Sequence, residues 1–118
     1  MTRVLFICGK ARRRSPTAAA VAAERLGWET DFAGLSADAD ERAGPGALGW
    51  ADVIAVMETS QLARLKRQLG GALKGKRVVC LDIPDRYAFM QPELVELVIA
   101  RLSRLGAERR GPSRRPRP

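Results

Sequence analysis

Apolar residues along the chain alternate between short continuous runs and stretches spaced like one face of a helix. Val4-Leu5-Phe6-Ile7, Val53-Ile54-Ala55-Val56-Met57 and Val78-Val79-Cys80-Leu81 are uninterrupted, as strands buried on both faces require. They predict strands over 3–7, 53–57 and 77–81, and a weaker run predicts another over about 29–33. A helix is expected from about 16 to 26, with Ser15 as N-cap and Pro16 in the first turn, where its missing N–H is harmless. Its many alanines let it approach a sheet closely. Thr59 or Ser60 caps a second helix carrying Leu62, Leu65 and Leu69, and a third over about 92–105 places Leu94, Val98, Leu102 and Leu105 on one stripe. The Gly/Ala/Asp-rich segment 34–49 reads as a loop with a short helix around Asp40. Strand-helix units this short imply an α/β fold: one three-layer domain, a four-stranded parallel sheet with helices on both faces, and right-handed crossovers. Ligands of such sheets bind beyond the carboxyl ends of the strands.

Charge divides the chain into a domain over 1–106 and a tail over 107–118. The net charge is +8, and the tail, AERRGPSRRPRP, holds five arginines against one glutamate. It has no apolar residues with which to build a core, so disorder is expected there. Such a tail reads either as a solubilising end or as an arm for nucleic acid or another polyanion. No apolar run approaches a membrane span, and the first strand is too short for a signal segment, so a cytoplasmic protein without membrane attachment is expected. The two cysteines, Cys8 and Cys80, then belong in the reduced state. With no histidine and no clustered cysteines, no metal and no cofactor is expected. The segment Gly70 to Lys76 satisfies G-x4-G-K, but Arg77 follows where Ser or Thr belongs and the segment precedes a strand, so it reads as a turn and not as a nucleotide site.

The densest chemistry lies directly after the first strand, in Cys8-Gly9-Lys10-Ala11-Arg12-Arg13-Arg14-Ser15-Pro16. A strand delivers the sulfur to the sheet edge, and the loop into the helix can turn successive backbone N–H groups around a phosphate-sized anion. Arg14 can close the ring with a planar fork on two oxygens. The same donors favour thiolate over thiol at Cys8. Lys10, Arg12 and Arg13 make the loop basic, which attracts acidic substrates.

Cys8, Arg14, Ser15 and Pro16 match in order and place the Cys-x5-Arg-Ser-Pro signature of the low-molecular-weight protein tyrosine phosphatases, and the chain resembles that family over about residues 3 to 105. Val53 to Glu58 looks like its third strand with an acidic end, and Leu81-Asp82-Ile83-Pro84-Asp85-Arg86-Tyr87 looks like its general-acid loop. The resemblance implies a monomeric phosphomonoesterase working through a cysteinyl-phosphate: Cys8 as nucleophile, Gly9 to Arg14 binding the phosphate, Ser15 assisting the sulfur, and Asp85 as general acid, with Asp82 its competitor. The substrate it implies is a phosphorylated protein, phosphotyrosine by default, or a small phosphomonoester. Three features depart from the family pattern: Ala11 stands where asparagine is usual, Arg86 follows Asp85 in place of proline, and 34–49 holds no aromatic to clasp a substrate ring. Tyr87, with Phe89 or Trp50, is left to flank one. These departures keep two alternatives open, a phosphatase for RNA or another polyanionic phosphomonoester and a non-catalytic phosphate-binding module. A thiol-linked arsenate reductase is less favoured, because Cys80 sits inside an apolar run.

Overall fold

The computed structural model describes residues 3–9, 14–36, 39, 41–84 and 86–110, excepting the side chains of 105–110. The chain runs β1 (Arg3–Cys8), α1 (Arg14–Leu26), β2 (Glu29–Gly34), α2 (Pro45–Trp50), β3 (Val53–Val56), α3 (Thr59–Leu69), a 3-10 turn (Gly70–Leu73), β4 (Arg77–Cys80) and α4 (Pro92–Arg110). All three strand pairings are parallel, in the order β2-β1-β3-β4. This is the expected four-stranded α/β sheet.

The continuous apolar runs follow from this order, since β1 and β3 are central and bury both faces. Val4 and Phe6 of β1, with Val53 and Ala55 of β3, meet α1 and α4. Leu5, Ile7, Ile54 and Val56, one residue out of phase, meet α2 and α3. On the first face the small side chains of Ala18 and Ala22 bring α1 close to the sheet, and Leu94, Val98 and Leu102 form the buried stripe of α4. Burying such a side chain stabilises by about 1.5–3 kcal/mol, so this stripe, and not helix propensity, fixes α4 in place.

Several boundaries differ from the sequence expectation. The short helix is α2, not one around Asp40: Pro45 supplies a helical φ at its first position, while the chain before it folds back through Gly34 N–H to Glu41 C=O at 2.7 Å and Ala43 N–H to Gly34 C=O at 2.8 Å. The cap of α3 is Glu58 and not Thr59 or Ser60; the Gln61 side chain reaches back to the Glu58 N–H at 3.0 Å, as in a capping box. Helix α4 continues past Leu105 to Arg110. Residues 111–118 of the basic tail lie outside the described residues. The G-x4-G-K segment forms the 3-10 turn and a tight turn with Gly75 at φ +80, leading into β4. Among the described residues no helix is long and apolar enough to cross a membrane.

Candidate active site

Parallel pairing brings the carboxyl ends of β1, β3 and β4 to one edge, and the candidate residues gather there. Cys8 ends β1, pairs with Gly34 of β2, and is 4% exposed on the α1/α4 face. The chain beyond it stays tied to the segment after β2, because the carbonyls of Cys8 and Gly9 accept the N–H groups of Leu35 at 3.1 Å and Ser36 at 2.9 Å.

Helix α1 starts at Arg14, so Ser15 lies inside the first turn and not at the N-cap. Its hydroxyl has a different use. Ser15 Oγ and Cys8 Sγ are 3.0 Å apart and buried, and once the sulfur is a thiolate it can only accept, so the hydroxyl donates to it. The Cys-x5-Arg-Ser spacing thereby returns the serine to the sulfur.

Arg14 is buried with it. Nη1 donates to the Ile83 carbonyl at 2.8 Å and forms an ion pair with Glu58 Oε1 at 2.9 Å. A guanidinium buried away from water needs such partners. Gln61, also buried, accepts the N–H groups of Met57 and Glu58 on one side-chain oxygen at 2.9 and 3.0 Å, which pins the turn carrying Glu58. The sequence placed Glu58 at the right edge but gave it no partner, and a contact to the Ile83 main chain leaves no side-chain signal at all.

The chain after β4 keeps following β3, with Leu81 N–H on Val56 C=O and Ile83 N–H on Met57 C=O, both at 2.8 Å. Leu81 and Ile83 are buried and Asp82 between them is exposed, at φ +57. Arg101 of α4 donates to the Leu81 and Asp82 carbonyls at 2.8 and 3.4 Å. Farther on, Tyr87 packs half-buried against the α1/α4 core, and the Arg86 guanidinium lies 5.8 Å from its ring centre. The segment ends where the N–H of Met90, at φ +60, donates to the buried Thr17 hydroxyl of α1 at 2.9 Å.

The structure thus brings Cys8, Arg14, Ser15 and Glu58 together, with the Leu81–Tyr87 chain beside Arg14. Lys10, Ala11, Arg12, Arg13 and Asp85 lie outside the described residues. Trp50 is elsewhere: it stands 5.9 Å from the Arg3 guanidinium at the opposite edge, because α2 runs back toward the start of β1. Cys80 packs against the α2/α3 core, on the other face of the sheet from Cys8, and both thiols are free.

No protein-family model and no curated protein sequence matches the chain. Its structure does have close counterparts. The Wzb protein of Vibrio vulnificus, solved with benzylphosphonate, superposes with a TM-score of 0.74 over 91% of this chain and 98% of its own at 18% identity. The chain has the fold of the low-molecular-weight phosphatases. A low-molecular-weight protein tyrosine phosphatase of T. tengcongensis superposes at 0.71, covering 92% and 99% of the two chains at 19% identity. The YwlE arginine phosphatase of Geobacillus stearothermophilus gives 0.70, covering 92% and 95% at 20% identity. Nearly the whole low-molecular-weight phosphatase fold is therefore present in this chain.

Proposed function

We propose that this protein is a cysteine-dependent phosphomonoesterase acting by double displacement at phosphorus. The observation that carries the reading is the buried Cys8–Ser15 contact of 3.0 Å at the loop closed by the buried Arg14, on a fold shared with tyrosine and arginine phosphatases. The Cys8 thiolate attacks phosphorus in line, the bond from phosphorus to the leaving oxygen breaks, and the Asp85 carboxyl supplies that oxygen with a proton. Arg14 and the loop N–H groups hold the equatorial oxygens, more strongly as charge builds on them. In the second step Asp85 takes a proton from water, water attacks phosphorus, and the thiolate leaves with the Ser15 hydroxyl donating to it. The Arg14 contact to Ile83, two residues before Asp85, supports Asp85 as the acid, and the left-handed, exposed Asp82 is its competitor.

The substrate class is a phosphorylated protein side chain or small phosphomonoester, with phosphotyrosine the first choice and Tyr87 flanking its ring. The basic residues Lys10, Arg12 and Arg13 and the five arginines of 107–118 favour a polyanionic phosphomonoester as the second reading. Hydrolysis of a generic aryl phosphate tests the chemistry. Turnover should vanish in Cys8→Ser while inorganic phosphate still binds, since the loop N–H groups and Arg14 remain; turnover that survives the substitution excludes Cys8 as nucleophile. A panel of phosphopeptides and phosphate-terminated oligonucleotides then separates the two substrate classes.

A further inference from the structure

Arginine is a useful anion clamp only if its guanidinium is already aimed when the anion arrives, because a side chain with this much rotamer freedom otherwise loses entropy on each binding event. Two groups aim Arg14 in this structure. They come from different strands: the Glu58 carboxylate follows β3 and the Ile83 carbonyl follows β4, and both lie within 3 Å of the same nitrogen, Nη1.

Resting on the phosphatase reading above, we infer that Glu58 is a positioning residue, holding the Arg14 guanidinium in its anion-binding orientation through Nη1. An Nη1 amine has two hydrogens and faces two fixed acceptors here, so Glu58 need not compete with an oxyanion for the other donors of the fork. Glu58 is itself braced. It caps α3, and its N–H is tied to the Gln61 side-chain oxygen at 3.0 Å, which also accepts the Met57 N–H at 2.9 Å. The carboxylate thus stands on a turn whose backbone is locked from both sides. The asymmetry of the pair fits the role: Arg14's side chain is 5% exposed and Glu58's is 41%. The cation is deep in the site, whereas the anion reaches it from the rim, where water weakens its repulsion of an incoming phosphate. A carboxylate buried beside the loop would oppose the substrate; one at the rim steers the arginine at little electrostatic expense.

The test measures inorganic phosphate binding by calorimetry in the Cys8→Ser background, where chemistry is removed, and aryl phosphate kinetics in the otherwise native protein. Glu58→Ala should weaken phosphate by about tenfold, the effect of one charge-assisted hydrogen bond at the lower end of its range, and lower kcat/KM by at least as much. Glu58→Gln, which keeps an acceptor oxygen without the charge, should recover part of both losses. A purely structural residue would instead lower the melting temperature and leave phosphate affinity of the folded protein unchanged. Unchanged or tighter phosphate binding in Glu58→Ala overturns the inference alone and shows Glu58 to be a competitor for Arg14. If the parent protein binds no phosphate and turns over no aryl ester, the phosphatase reading falls and the role of Glu58 falls with it.

Discussion

The segment after β1 and the segment after β4 both feed the site, yet they are built in opposite ways. After β1 the geometry comes from near neighbours in sequence: a strand end, a short loop and a helix start return Ser15 to Cys8 across seven positions. After β4 the chain has no helix to enter until Pro92, and it is held by groups from afar. Arg14 grips the Ile83 carbonyl, Arg101 grips those of Leu81 and Asp82, and Thr17 grips the Met90 N–H. Two of these anchors, Arg14 and Thr17, lie one helical turn apart at the start of α1. The helix that receives the phosphate loop therefore also fixes both ends of the acid-bearing segment, so nucleophile and acid are registered on a common rigid element.

The largest effect that can break this division of labour is on the acid. Because protonation matters most for a poor leaving group, Asp85→Asn should slow hydrolysis of phosphotyrosine or an alkyl phosphate by roughly 10²–10⁴-fold and an activated aryl phosphate far less. Asp82→Asn should show no such dependence, and steady-state rates across a leaving-group series decide between them; a dependence found only for Asp82 reverses the assignment.

A smaller effect sharpens the anchoring claim. Thr17→Val keeps the shape of a fully buried side chain but removes the acceptor for the Met90 N–H, and should lower stability by about 1 kcal/mol in chemical denaturation. It should also slow poor leaving groups selectively while phosphate affinity stays as in the parent. A uniform loss on every substrate would mean that α1 itself, and not the acid segment, has moved.

The smallest effect lies at the far edge and checks that the comparison is local. The Arg3 N–H, bonded to the Asp52 carboxylate at 2.9 Å, holds that carboxyl below its ordinary range, aided by the Arg3 and Lys76 charges. A carboxyl lowered in the folded state contributes stability that is present above its unfolded pKa and is lost as pH falls through the folded one. Asp52→Asn should therefore flatten the acid limb of the melting temperature against pH, a small change at an exposed site, and leave kinetics on both leaving-group classes untouched. Altered kinetics would show that the two edges of the sheet are coupled.

What the residues determined unaided was whatever depends on short-range spacing. Continuous apolar runs announce strands buried on two faces, the Leu94–Val98–Leu102 stripe announces a packed helix, and a cysteine five residues before Arg-Ser at a strand end announces an anion loop, because each pattern acts within a few residues of itself. Tertiary structure decided the rest. The ion pair of Arg14 with Glu58 and its bond to the Ile83 carbonyl bridge 44 and 69 positions, and they exist only because parallel pairing sets the ends of β1, β3 and β4 side by side. Ser15 could be read locally as a helix cap or as a partner of the sulfur; the start of α1 at Arg14 selected the sulfur. A main-chain carbonyl such as that of Ile83 is the same in every residue, so no sequence pattern marks the one that a distant arginine will find.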